Sequence, residues 1–194
     1  MMGIDNVMNL GEILNQIARR YPDAPGFIRN GREHSWKEIS TRVDSVAAAL
    51  RERGIKKGDR LLVHSRNNLP LFESAWIAFR LGAVWVPTNV RITPSEAAYL
   101  GSSSGAVAML YDEGLEHYVD AVREASPALQ QVIAIGQPRD GELHYEQLLD
   151  EGRARHATFR PADVSYHDPL WFFYTSGTTG HPKAGVLTHG QMAF

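Results

Sequence analysis

The chain has 194 residues, 43% hydrophobic and 22% charged, with a net charge of -2 and no cysteine. That composition is ordinary for a globular protein with a real core and excludes disordered and fibrous classes. It also argues against nucleic-acid binding, because the densest basic stretch, Arg51 to Lys57, is interrupted by Glu52 and Gly54.

The absence of cysteine excludes disulfides, thiolate metal sites and cysteine nucleophiles, and fits a reducing, cytoplasmic compartment. Met1 to Leu10 lacks a basic region followed by an apolar core, and no window approaches the roughly 18 apolar residues of a membrane span. Neither export nor membrane spanning is expected.

In chain order, Leu10 to Tyr21 predicts a leading helix. Gly26 to Asn30 and Glu33 to Ser35 predict a small hairpin around Asn30-Gly31, a pair suited to a tight primed turn. Ser35-Trp36-Lys37-Glu38 has the form of a capping box, and Ile39, Val43, Val46, Ala47 and Leu50 then fall on one helical face before Gly54. Pro70 starts another helix through Leu81. Thr93-Pro94-Ser95-Glu96 is a second capping box with proline at the first helical position, opening a helix to about Leu100. Leu115, Val119 and Val122 predict a helix ended before Pro127.

Between these helices lie short β-rich runs: Leu61 to Val63, Ala83 to Val86, Ala106 to Tyr111 and Gln131 to Ile135. Strands alternating with helices at that spacing predict an α/β fold with a largely parallel sheet flanked by helices. Gly136 to Asp168, richer in charges and turn residues, reads as a surface excursion with a short helix near Tyr145 to Leu149. The expected division is 1–168 as an α/β unit, with 169–194 as the start of the next.

The chemistry concentrates in Thr175-Ser176-Gly177-Thr178-Thr179-Gly180-His181-Pro182-Lys183, after the apolar run Leu170 to Phe173. Glycines let backbone N–H groups turn toward an anion, hydroxyls add donors, and the lysine supplies charge, so the run is a candidate phosphate cradle. A plain flexible hairpin is the competing reading. The run is not a Walker A loop: His181 and Pro182 separate Gly180 from Lys183, and Ala184 to Leu187 read as a strand. A turn between antiparallel strands is expected instead. Gly101-Ser102-Ser103-Ser104-Gly105 formally matches a nucleophile elbow, but it follows a helix and precedes a strand, the reverse of the elbow's context, so it reads as a helix-ending linker. The histidines are scattered without zinc-site pairing, and no metal ligand is assigned. Trp76, Phe79 and Trp85 read as core, and His189 either faces the phosphate turn's pocket or sits in a turn.

The order Tyr174-Thr175-Ser176-Gly177-Thr178-Thr179-Gly180-x-Pro182-Lys183, followed by Leu187-Thr188-His189, resembles the signature phosphate loop of the adenylate-forming superfamily. That superfamily includes acyl-CoA synthetases, adenylation domains of peptide synthetases and beetle luciferases. His34-Ser35-Trp36, Gly54 through Arg60, Asn67-Asn68, and Gly82 to Pro87 with Asn89 resemble its N-terminal region, so the similarity spans most of the chain. Ala184 stands where the family most often has glycine. The general texture is similar to bacterial acyl-CoA synthetases acting on fatty acids.

The resemblance implies a parent enzyme that activates a carboxylic acid with ATP and Mg2+, then transfers the acyl group to coenzyme A. Thr175, Ser176, Gly177, Thr178, Thr179 and Gly180 would enclose the β- and γ-phosphates, and Lys183 would add positive charge. In the family pattern the acid that helps hold magnesium, the adenine and ribose sites, the acyl tunnel and the catalytic lysine all lie later. The chain is therefore expected to be an incomplete N-terminal fragment with no catalytic residue of its own, inactive alone, and prone to self-association through Leu187, Met192 and Phe194. A non-catalytic phosphate-binding or assembly module, and an adenylation domain loading a carrier protein, are the alternatives.

Overall fold

The computed structural model describes residues 8–155, 158–175 and 182–193. The leading helix α1 (Glu12–Arg20) is followed by a separate antiparallel hairpin, β1 (Pro25–Arg29) and β2 (Arg32–Ser35). Its turn places Asn30 at φ 51° and Gly31 at φ 76°, the left-handed pair that a primed turn requires. Helix α2 (Trp36–Glu52) then begins the alternation. Its cap is only half of the expected box. Ser35 Oγ accepts from the Glu38 amide at 3.2 Å, but the Glu38 carboxylate is drawn to His34 Nδ1 at 2.7 Å instead of returning to the Ser35 amide.

The rest alternates β3 (Arg60–His64), α3 (Leu69–Leu81), β4 (Val84–Pro87), α4 (Pro94–Ser104), β5 (Ala108–Tyr111), α5 (Glu116–Ala125), β6 (Gln131–Ala134) and β7 (Leu143–His144). Helix α6 (Tyr145–Gly152), the hairpin strands β8 (Pro169–Thr175) and β9 (Lys183–Thr188), and the short α7 (His189–Met192) complete the order. Strands β3 to β9 form one open seven-stranded sheet in the order β7-β6-β5-β3-β4-β8-β9. Every pairing is parallel except β8 with β9. This is the mostly parallel, helix-flanked α/β sheet that the alternation predicts.

Two apolar layers follow from the two-residue period of the strands. Leu61, Val63, Ala108, Leu110 and Ile133 face one layer with α1, α2, α3 and α6. Their alternates Leu62, Met109, Tyr111, Val132 and Ala134 face the other with α4 and α5. Each fully buried aliphatic side chain contributes about 1.5–3 kcal/mol relative to exposure. Between α2, α3 and α6, the buried carboxylate of Glu73 receives Arg42 Nε at 2.6 Å and the Tyr145 hydroxyl at 2.8 Å. Burial raises the Glu73 pKa, and the Arg42 and Tyr145 hydrogen bonds oppose that rise.

Two sequence readings are corrected here. The helix opened by Thr93 does not stop near Leu100. Gly101-Ser102-Ser103-Ser104 forms its last turn, and Gly105, at φ 64°, is the residue that ends it. The helix continues because Gly101 lets α4 lie against α5: a Cβ there would come within 2.6 Å of Val122. The segment from Gly136 is also not purely a surface excursion. Leu143–His144 adds a strand to the sheet, and α6 buries Tyr145, Leu148 and Leu149 under α2.

Candidate functional site

Strand β8 is β-branched-poor but aromatic-rich, and it enters the sheet beside β4 with Trp171 opposite Trp85, ring centroids 5.0 Å apart. Because β8 runs parallel to β3 and β4, Thr175 lies at the carboxyl edge of the parallel strands. That edge is where open α/β sheets bind ligands. Strand β9 returns antiparallel, pairing Tyr174 with Ala184 and Thr175 with Lys183. The expected antiparallel stem is therefore present, with the first and last of the candidate phosphate ligands directly opposite each other. Ser176, Gly177, Thr178, Thr179 and Gly180 lie outside the described residues, as does His181.

The ends of the stem fit an anion. Thr175 and Lys183 are both exposed, and among the described residues Lys183 has no carboxylate partner. Cross-strand partners share a face, so the threonine hydroxyl and the ammonium present a donor and a charge on one side of the hairpin. The neighbouring pair faces the other way: Tyr174 packs in the layer containing α4. Ala184 is exposed opposite it.

Helix α4 touches this stem twice. The Tyr99 hydroxyl donates to the Pro182 carbonyl at 3.3 Å, and Ser103 Oγ shares a hydrogen bond with the Tyr174 hydroxyl at 2.8 Å. Sequence reasoning missed both residues, having placed Ser103 in a linker. The available signal was their spacing, one helical turn apart.

His189 is settled as a buried anchor. Its ring is 0% exposed, and Nδ1 accepts the Leu10 amide at 3.3 Å. It sits in α7, whose Thr188 and Gln191 form a reciprocal capping box. At the end of β3, His64 is equally buried, with Nδ1 2.6 Å from Thr88 Oγ1. The Thr88 hydroxyl donates to the Val63 carbonyl at 3.1 Å, so it accepts from His64 and leaves Nε2 as the unprotonated nitrogen.

An apolar groove of about 510 Å³ opens beside the hairpin, lined by Leu10, Phe72, Trp76, Trp85, Trp171 and Met192. Of the three aromatics read as core, only Phe79 is buried; Trp76 and Trp85 are half-buried and form the groove wall. Phe173, Val186 and Met192 are 50%, 47% and 39% exposed. Among the described residues no three His, Asp or Glu side chains group as metal ligands, and no helix is long and apolar enough to cross a membrane.

Residues 14–194 match the family described as AMP-binding enzyme. The 3-oxocholest-4-en-26-oate–CoA ligase of Rhodococcus rhodochrous is 26% identical over 94% of this chain and 33% of its own length. The crotonobetaine/carnitine–CoA ligase of Salmonella typhi is 29% identical over 100% of this chain and 39% of its own. The chain thus spans 33% to 39% of the length of these relatives. An inhibitor-bound N-terminal domain of FACL13 from Mycobacterium tuberculosis superposes with a TM-score of 0.80 at 27% identity, covering 94% of this chain and 45% of that one. The anthranilate CoA ligase AuaEII, solved with anthranoyl-AMP, shares the fold with a TM-score of 0.87 at 23% identity, covering 94% and 35% of the two chains.

Proposed function

This chain belongs to the AMP-binding enzyme family, and from that premise we propose that it is the phosphate-binding N-terminal part of an acyl-CoA ligase. The activity proposed for the whole protein is formation of an acyl-adenylate from ATP and a carboxylic acid, followed by thioester formation with coenzyme A. The observation that carries the reading is the Thr175–Lys183 pair, an exposed hydroxyl and an exposed cation in register at the mouth of the hairpin. The CoA-ligase names of the relatives support coenzyme A over a carrier protein as acceptor. A small carboxylic acid is the corresponding substrate, and the long-chain-fatty-acid–CoA ligase FadD13 of M. tuberculosis, 29% identical, supports a fatty acid.

The chemistry explains why such a hairpin is needed. A carboxylate attacking the α-phosphate of ATP meets charge repulsion, so the triphosphate has to be neutralised and held in line before reaction. Lys183 supplies one positive charge, Thr175 a donor, and residues 176–180 the hydroxyl and backbone donors of the turn. A magnesium ion carried with the ATP would supply the remaining neutralisation of the triphosphate; among the described residues no group of three His, Asp or Glu side chains is placed to hold it. Division of the chain at residue 168 belongs to this reading as a functional boundary, since the sheet itself continues across it. A cytoplasmic location is part of the same proposal and is supported by the absence of cysteine.

Calorimetric titration of this chain with inorganic tripolyphosphate and with Mg·ATP tests the binding half. Saturable binding is expected, weakened about tenfold or more in Lys183→Met, as loss of a charge-assisted contact of about 1.5–3 kcal/mol implies. Absence of any binding would remove the reading. ATP–pyrophosphate exchange by the chain alone, with short, long and aromatic carboxylates, is expected to stay at background. Carboxylate-dependent exchange would instead show that these residues suffice for adenylation.

A further inference from the structure

Thr175 and Lys183 are useful only if the two strands carrying them hold a fixed separation, and the hairpin lies at the edge of the sheet. Among the described residues strand β9 stands at the edge of the sheet and pairs with β8 alone. Side-chain contacts from outside the sheet add to that ladder at its open end. The residues that make them are on α4.

Tyr99 and Ser103 are spaced i, i+4, which places them one above the other on a single helix face. Ser103 bonds the hydroxyl of Tyr174, the residue before Thr175, at 2.8 Å. Tyr99 bonds the carbonyl of Pro182, the residue before Lys183, at 3.3 Å. One helix face therefore reaches the stem at two points, at Tyr174 on the sheet side of the Thr175–Lys183 pair and at Pro182 just before β9 on its other side. Tyr174 packs with α4 on the face opposite Thr175 and Lys183, so the grip leaves their side chains unobstructed.

The grip is only as firm as the helix that bears it. Thr93 and Glu96 close a reciprocal capping box at its start, with Pro94 at the first helical position. Gly101 sits so close to α5 that a Cβ would lie 2.6 Å from Val122 and 2.9 Å from Ser126. At the far end, Arg60 Nε binds the Ser104 carbonyl at 2.7 Å and its Nη2 binds the carbonyl of Gly105. The start is capped within the helix itself, and its middle and end are fixed to α5 and to Arg60 of β3, so α4 is a rigid base rather than a passenger of the hairpin.

We propose that Tyr99 and Ser103 are positioning residues for the Thr175–Lys183 pair, an i, i+4 clasp by which α4 holds the end of β8 and the residue that leads into β9. The inference rests on the functional reading above for what the turn binds, but not for the clasp itself. Neither residue touches the nucleotide in this scheme; each acts through the strand it holds.

The test separates those two layers. Tyr99→Phe keeps the ring packing and removes the hydroxyl, Ser103→Ala removes the second contact, and Ser103→Thr preserves it. Amide hydrogen exchange at Tyr174, Thr175, Lys183 and Ala184 is read with no ligand present. The double variant Tyr99→Phe/Ser103→Ala is expected to exchange about tenfold or more faster at these sites, with β3, β5 and β6 unchanged, and Ser103→Thr is expected to match the wild type. Tripolyphosphate affinity is expected to fall roughly fivefold to twentyfold in the double variant while the thermal midpoint stays close to that of the wild type. Unchanged exchange at the stem overturns the clasp. A loosened stem with undiminished tripolyphosphate affinity overturns its positioning role. A wild type that binds no tripolyphosphate counts against the phosphate reading, and the exchange data then judge the clasp on their own.

Discussion

His64 and His189 are both completely buried, and neither Nε2 has a hydrogen-bond partner among the described residues. Burial lowers the pKa of His64 to about 4, with His117 and Arg66 adding to the effect. Burial likewise brings His189 to about 4, Asp168 pulling the other way and Lys57 reinforcing the depression. The folded state therefore binds these protons more weakly than the unfolded chain, whose histidines titrate near 6.5. Stability from the pair is fully present above that value and is lost as pH falls from about 6.5 toward 4. At pH 5 the loss is about 2 kcal/mol per histidine. Urea unfolding at pH 7.5 and pH 5 measures it, and the difference is expected to shrink by about half in His64→Gln, provided the variant folds.

The packing of α6 on α2 sets a stricter limit at the scale of elements. A Cβ on Gly152 would lie 1.8 Å from the Ser45 carbonyl oxygen, and both belong to backbone that cannot swing aside as a side chain can. Gly152→Ala is expected to lower stability by about 3 kcal/mol, the upper end for overpacking, seen as an earlier denaturant midpoint with an unchanged slope. Elements whose cause is local were legible in the sequence. Asn30-Gly31 announces its hairpin because few residues accept two successive positive φ values, and Thr93 through Glu96 carry their cap within four residues. Elements whose cause is distant were not. Gly101 to Ser104 are weak helix formers held helical by Val122 on another helix, and Leu143–His144 is a strand only because β6 is beside it. The candidate site divides in the same way. Thr175 and Lys183 were readable from residue type and order, whereas Tyr99 and Ser103 act on partners 83 and 71 positions away.

For the molecule as a whole, the two faces of the sheet are unequally covered. The groove beside the hairpin is walled by tryptophans and is almost entirely apolar, and Phe173, its ring 5.6 Å from that of Trp171, and Met192 add exposed apolar surface on the same side. Contiguous apolar surface of this kind drives association in water. Sedimentation velocity over a hundredfold concentration range is expected to show concentration-dependent dimers or larger species, relieved by Phe173→Lys together with Met192→Lys. A clean monomer throughout, with no binding of a hydrophobic dye, would contradict this.

The bond between the Leu10 amide and His189 spans 179 positions, and Asn9 reaches the Ala162 carbonyl across 153. These contacts sew the segment before α1 to α7 and to the loop before β8, and that makes them a matter of time as well as of energy. At roughly 5–20 residues per second, a ribosome needs on the order of 10–40 s after Leu10 to complete His189. Through that interval α2 can shelter the apolar face of α1, but the hydrogen-bond partners of Asn9 and Leu10 in the later part of the chain are not yet made. Closure of the N-terminal segment thus waits until His189 has been made, and by the same topology it is undone early when the hairpin loosens.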